Sequence, residues 1–193
     1  MLGLGVNAKK TQMVCVNATI TNNLDTYIRN PVDKSRISGG KELKILGFYF
    51  DNRPTVDRHV EEIEKKFRRR VWLLRNLKRA KIDNNELVSA YCSFIRPVIE
   101  FCSSIYHPML NKNLNLRIEK LQYSALRIIY GYELERHELL KKSGLGTLEE
   151  RREALFAKFC LKLYNNQRFK TAWLPERNFI GHCNIKLQRI FQT

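Results

Sequence analysis

The amino-acid sequence predicts an α+β fold, mostly α, in which a small N-terminal antiparallel β-sheet is followed by a helical bundle. Three observations carry that expectation. Residues 12–50 contain two runs rich in β-branched and aromatic side chains, QMVCV and ELKILGFYF, which suit a pleated, half-buried surface. After Pro54 the apolar residues recur instead at steps of three and four, the period of an amphipathic helix. With 193 residues, 44% of them hydrophobic, the chain can bury a genuine core.

Asn, Asp, Pro, Ser and the Gly39–Gly40 pair stand between the two β-rich runs and are expected to make turns. Val60, Ile63, Phe67, Val71 and Leu74 then form one stripe of a helix running from about Asp57 to about Arg79. Asp83, with Glu86 three residues on, has the pattern of an N-terminal cap. Behind it, Leu87, Tyr91, Phe94, Ile95, Val98, Phe101, Cys102 and Ile105 are spaced for a buried helix, which Pro97 must kink or divide because it lacks an N–H. A further helix is expected over about Asn115 to Tyr130, with Gly131 ending it in a left-handed conformation. Thr147 and Glu150 form a capping-box pattern that opens a helix to about Tyr164. No internal repeat or low-complexity linker interrupts the chain.

Charge is the strongest compositional signal. Lys and Arg number 35 against 19 Asp and Glu, a formal net charge of +16 with a pI near 9.9, beyond what solubility requires. A polyanionic partner is therefore expected. Residues 56–82 carry 10 basic and 4 acidic groups, whereas 83–113 carry 2 and 3, so the excess is concentrated. Five cysteines, widely spaced and odd in number, point to reduced thiols and a cytoplasmic or nuclear setting. The apolar part of the N-terminus is too short for a signal peptide, and no run approaches the ~18 apolar residues of a membrane span.

The stretch KKFRRRVWLLRNLKR, residues 65–79, carries no acid. On a helical wheel, Lys65, Arg68, Arg69, Arg75 and Arg79 gather opposite the apolar stripe, and Trp72 sits among them. Guanidinium groups pair with phosphates and indole stacks on a base or sugar, so this face is the candidate nucleic-acid-binding surface. The plainer alternative is a solvated face: Glu61, Glu62 and Glu64 precede Lys65, Lys66 and Arg68 by four residues and offer surface ion pairs of a few tenths of a kcal/mol. Arg69, Arg70, Arg75, Lys78, Arg79 and Lys81 have no such intrahelical partner. Trp72 has a second reading as well, packing under a neighbouring domain.

Enzymatic constellations are thin. Two-metal catalysis needs closely placed carboxylates, and Asp25, Asp33, Asp51 and Asp57 each stand alone. His182 and Cys183 offer donors to zinc without a second ligand pair at finger spacing, so no metal site is expected. GLGVNAKKT lacks the Gly-Lys-Thr order of a phosphate loop.

Taken in order, GLGVNAKKTQMV, KILGFYFD, HVEEIEKKFRRRVWLLRNLKR, YCSFIRPVIEFCSSIYHP, IEKLQYSALRIIYG and TLEERR resemble the C-terminal part of reverse transcriptases from non-LTR retrotransposons, over nearly the whole chain to about residue 175. The resemblance implies three regions: a partial palm with a primer-grip-like β region over residues 1–54, thumb-like helices over 55–110 and a helical connector over 111–193. GLGVNAKKT is similar to the segment following the catalytic strand pair, with Gly3, Asn7, Lys10 and Thr11 at the matching positions. Leu46, Gly47 and Phe48 are similar to the hairpin that grips the primer end.

The family's two-aspartate motif would lie upstream of Met1. The resemblance therefore implies a fragment of an RNA-directed DNA polymerase that is inactive alone, lacks its N-terminal fingers and most of its palm, and contains no cofactor, the Mg²⁺ belonging to the parent enzyme. Lys10 would serve as a general acid in that parent only, and an exposed turn lysine is its other reading. Gly47 is either a point of close backbone approach to the primer or an ordinary strand glycine at a bulge. The expected capacity of the chain itself is binding an RNA/DNA duplex. A helical module that docks an acidic protein, or a transposon remnant without function, are the alternatives.

Overall fold

The computed structural model describes residues 11, 13–14, 27–29, 36–52 and 55–166. Gly3, Asn7, Lys10, His182 and Cys183, singled out above, lie outside them. The chain divides into two compact units, Met1–Glu62 and Ile63–Thr193, and the division falls inside the first long helix.

In the first unit, strands β1 (Met13–Val14), β2 (Tyr27–Arg29) and β3 (Arg36–Gly40) form one sheet in the order β1-β3-β2. β2 pairs antiparallel with β3, Ile28 opposite Ile37, whereas β1 pairs parallel with it, Met13 opposite Gly39. β1 thus adds one parallel pairing to strands that otherwise pair antiparallel, as expected. Gly39 and Gly40 belong to β3 and make no turn. A Cβ on Gly40 would stand 3.4 Å from the Glu42 carbonyl oxygen and 3.7 Å from that of Met13, so glycine here lets the neighbouring backbone come close.

ELKILGFYF folds back on itself as β4 (Glu42–Ile45) and β5 (Phe48–Asp51), antiparallel, with Ile45 opposite Phe48. The two-residue loop between them, Leu46–Gly47, has φ of 47° and 89°. Positive φ at both loop positions is the turn whose twist matches that of the flanking strands. Phe48 is buried against Phe50 and His59, at ring-centroid distances of 4.6 and 4.3 Å.

The remainder is helical. α1 spans Asp57–Arg79, as the periodicity predicts, and Ile63, Phe67, Val71 and Leu74 are buried. α2 (Asn84–Ala90) begins at Asp83, whose carboxylate accepts the Asn85 N–H at 2.9 Å. A single π turn, Tyr91–Ile95, joins α2 to α3 (Arg96–Glu100). There the Arg96 N–H reaches back five residues to the Tyr91 carbonyl. Pro97 falls in the first turn of α3, where its missing N–H costs least.

Part of the expected core turns outward. Phe94, inside the π turn, and Phe101 and Ile105, on either side of the left-handed Cys102, are expected inward but are 57%, 44% and 44% exposed, whereas Ile95 and Val98 are buried as expected. Ile99, Ser103 and Tyr106 take the buried positions. Cys102, at φ 58°, then redirects the chain into α4 (Ser103–Tyr106) and a short 3₁₀ turn, His107–Met109.

α5 spans Lys112–Tyr130 and starts three residues before the expected Asn115, because the Asn111 side chain caps it by accepting the Leu114 N–H at 2.9 Å. Gly131 ends it at φ 106°, ψ 172°, a region open to glycine but extended rather than left-handed helical. α6 (Arg136–Ser143), too short for its period to stand out, ends at Gly144 with φ 64°. α7 (Leu148–Asn165) opens with the predicted capping box, both halves of which form between Thr147 and Glu150.

α5 is the centre of this unit, packing against α2, α6 and α7. A buried polar network runs through it. The Tyr91 hydroxyl donates to Gln122 Oε1 at 3.0 Å, and Gln122 Nε2 donates to the Gly146 carbonyl at 2.9 Å. Glu119 accepts the Leu148 N–H at 3.2 Å, so α5 caps the start of α7 with a carboxylate, and it also meets Arg152 at 3.3 Å. Arg152 donates to Asn115 as well and is fully buried. Burial pushes the Glu119 carboxyl upward against the pull of Arg152, and pushes the Tyr91 and Tyr106 hydroxyls well above the usual phenol range, so both tyrosines are fixed as donors.

Candidate nucleic-acid interface

The outward face of α1 follows from its inward one. With Ile63, Phe67, Val71 and Leu74 committed to the core, a pitch of ~3.6 residues per turn turns Lys65, Arg69, Trp72 and Arg79 away from it. All four are exposed, as are Arg68 and Arg75. Trp72 is 64% exposed, so nothing among the described residues packs over it. Lys65 and Arg79 are separated by 14 residues of helix, so the ridge is ~21 Å long. Duplex phosphates along one strand are spaced at ~3.4 Å, and the ridge therefore matches about six base steps.

The cations of the 65–79 stretch do not all serve one end. Arg70 donates to the Phe94 carbonyl, and Lys78 donates to the Ile129 carbonyl at 2.6 Å and to Asn84 Oδ1 at 2.9 Å. These two hold α1 to its neighbours. Lys66 stands with its Nζ 5.8 Å from the Phe101 ring centroid. Arg69, Arg75 and Arg79 make no hydrogen bond or ion pair with the described residues, which leaves their donors directed to solvent.

The acidic residues of α1 follow the i,i+4 scheme in part, Glu64 meeting Arg68 as expected, and they are also engaged by residues outside the 65–79 stretch. Glu61 and Glu62 meet Arg58 at 3.4 and 3.6 Å. Glu64 is clamped by Arg117 of α5, with Nε and Nη2 at 2.9 and 3.0 Å. Arg68 reaches the same carboxylate only at 3.8 Å, with its side chain 73% exposed. A two-point guanidinium–carboxylate pair is the stronger one, so Arg117 neutralises Glu64 and leaves Arg68 available to a ligand. Sequence spacing could not reveal this, because Arg117 lies 53 residues away.

The primer-grip-like residues separate. Leu46, at the hairpin tip, is 92% exposed, whereas Phe48 is 2% exposed. Leu46 is the side chain the hairpin presents, Gly47 provides the backbone turn, and Phe48 anchors the hairpin from below. Lys44 and Arg58, the latter from α1, lie over the Tyr49 ring at 5.1 and 5.4 Å from its centroid.

The Mg²⁺ implied for a parent polymerase finds no home among the described residues, where no group of three or more His, Cys, Asp or Glu side chains is placed to hold a metal ion. Cys92, Cys102 and Cys160 form no disulfide. No helix among the described residues is long and apolar enough to cross a membrane. What the arrangement provides is electrostatic: a rigid, solvent-facing row of cations around an indole.

Comparison with known proteins gives one line of kinship. The chain is 30% identical over 132 residues to the RNA-directed DNA polymerase from mobile element jockey of Drosophila funebris. The similarity covers 66% of this chain and 14% of that polymerase, so the chain spans about a seventh of its relative's length. No family model matches the chain, and no solved structure matches it.

Proposed function

We propose that the chain is the end-of-palm, thumb and connector portion of a non-LTR retrotransposon reverse transcriptase, and that it binds the RNA/DNA heteroduplex along the outer face of α1. The similarity to a mobile-element RNA-directed DNA polymerase supports the parentage. The observation that carries the binding role is the exposed ridge of Lys65, Arg68, Arg69, Trp72, Arg75 and Arg79, in which Arg69, Arg75 and Arg79 make no hydrogen bond or ion pair with the described residues. Cations on a helix anchored by its opposite face engage phosphates with little loss of backbone freedom, because folding has already ordered the backbone.

In this reading the β4–β5 hairpin sets Leu46 and the Gly47 backbone against the primer end. In the same reading, nucleotide addition belongs to the carboxylates and Mg²⁺ of the parent enzyme. The general-acid role of Lys10 is assigned to that parent enzyme only.

Fluorescence anisotropy with a labelled RNA/DNA hybrid tests the binding role. At low salt the chain should bind at micromolar concentration or tighter, stronger than the ~10⁻⁴–10⁻⁶ M typical of non-specific binding at physiological salt. Replacing Arg68, Arg69, Arg75 and Arg79 with Gln and Trp72 with Ala should weaken binding at least tenfold. Equal binding by the parent chain and this variant rejects the assignment.

A further inference from the structure

α1 and α5 run side by side in the same direction, tied at both ends. Arg117, early in α5, clamps Glu64, early in α1, and Lys78, late in α1, donates to the Ile129 carbonyl, late in α5. From Glu64 to Lys78 α1 rises ~21 Å and from Arg117 to Ile129 α5 rises ~18 Å, so the two helices keep pace between the ties. Arg68 and Arg75 of the ridge follow Glu64 by four and eleven residues and therefore lie along the edge of α1 that meets α5.

The solvent face of α5 continues the charge of that edge. Ile118, Ala125, Leu126 and Ile129 are committed to the core, and a turn of ~100° per residue carries Lys120 and Arg127 to the opposite side. Lys120 is exposed. Neither side chain makes a hydrogen bond or ion pair with the described residues, and Arg127 Nε is buried without an acceptor. The one acid of α5, Glu119, is buried on the far side with the Leu148 N–H and Arg152. Glu64, at the junction, is already neutralised by Arg117. Packed helices lie ~8–10 Å apart, more than twice the ~3.4 Å step between phosphates of one strand. A strand laid along the α1 ridge thus leaves Lys120 and Arg127 beyond its path. Their own separation along α5, ~10.5 Å, matches about three phosphate steps of another strand.

We propose that Lys120 and Arg127 form a second row of phosphate contacts, which takes the strand of the heteroduplex that the α1 ridge does not follow. The inference rests on the reading of the ridge as the heteroduplex site, and it makes the surface a holder of duplex rather than of single strand.

The test is a salt titration of RNA/DNA hybrid binding with the whole chain and three variants: Lys120→Gln/Arg127→Gln, the ridge variant described above, and Lys158→Gln/Lys162→Gln. The last removes the same charge from exposed positions of α7. At about 0.9 per phosphate contact, the α5 variant should flatten the slope of log K against log salt by about 2 units, and the α7 variant should leave it unchanged. A single strand offers one row of phosphates and bases free to stack on Trp72, so its slope should not change in the α5 variant. Neither side chain holds a partner in the fold, so circular dichroism and the melting temperature should stay as in the parent chain. If replacing Arg127 lowers the melting temperature, Lys120→Gln alone carries the test, with a flattening of about 1 unit. An unchanged slope in the α5 variant beside a flattened one in the ridge variant overturns the second row and leaves the ridge standing. Unchanged slopes in both overturn the ridge and the second row with it. Equal flattening by the α5 and α7 variants is a general charge effect and overturns the proposal, as does equal flattening on single strand and hybrid, which puts both rows on one strand.

Discussion

Replacing Arg152 with methionine isolates the energetics of the charge pair between α5 and α7. The guanidinium is fully buried, lies 3.3 Å from Glu119 Oε1 and donates to Asn115. Removing one member of such a pair strands the other charge, which typically costs ~3–5 kcal/mol. Two offsets reduce that figure. Arg152 Nε and Nη1 have no hydrogen-bond partner, so their desolvation penalty of ~1–3 kcal/mol disappears with them. Glu119 also keeps the Leu148 N–H. The net loss should therefore be ~2–3 kcal/mol, a fall of ~1–2 M in urea midpoint at ordinary m-values.

The pH dependence gives this prediction its sign. Burial already raises the Glu119 carboxyl above its ordinary range, with Arg152 opposing, and deleting Arg152 raises it further. A group whose folded pKa lies above its unfolded one stabilises the fold below the unfolded value and loses that contribution as pH rises through the folded value. The deficit of Arg152→Met relative to the parent chain should thus be smallest near pH 4.5 and grow toward pH 7.5. Adding Glu119→Gln removes the stranded charge while keeping an acceptor for Leu148, so the double variant should recover part of the loss at pH 7.5. Urea unfolding at the two pH values measures all of this. A deficit below ~1 kcal/mol, or one that is the same at both pH values, refutes the reasoning.

Other substitutions probe single positions by thermal or urea melting. Gly131→Ala should cost ~1–3 kcal/mol through backbone strain alone, because φ is 106° while a Cβ there meets nothing within 4 Å; an unaltered stability would show that the end of α5 relaxes without penalty. Leu46→Asn should stabilise the β4–β5 hairpin by a few tenths of a kcal/mol or more, since asparagine tolerates the φ of 47° in this turn type. Thr147→Ala should cost ~1 kcal/mol by removing the side-chain half of the α7 capping box.

Much of the helical half is legible in the sequence because local signals and tertiary packing agree there. α1 ends where the 3.6-residue stripe and its flanking turns place it, and Thr147 with Glu150 opens α7 as a capping box should. The reading fails where a feature is not periodic. Proline announces an interruption after Tyr91 but not its form, and neither the π turn nor the left-handed Cys102, the two breaks around which Phe94, Phe101 and Ile105 turn outward, shows in the periodicity. The Gly39–Gly40 pair reads as a turn because glycine is common in turns, yet here it serves close strand approach.

The candidate interface divides in the same way. The exposure of Trp72, Arg69, Arg75 and Arg79 follows from the wheel alone. The commitment of Arg70 and Lys78 to carbonyls, and of Glu64 to Arg117, depends on contacts between residues 24 to 53 apart in sequence. A helical wheel cannot rank eight cations by what each is already holding.

The most direct test of the account is the salt dependence of RNA/DNA hybrid binding. Each phosphate neutralised contributes about 0.9 to the slope of log K against log salt on duplex DNA. If Arg68, Arg69, Arg75 and Arg79 all touch phosphates, replacing the four with Gln should flatten that slope by about 3 to 4 units. A slope that stays the same, whatever happens to the affinity at one salt concentration, would contradict the placement of the duplex on α1.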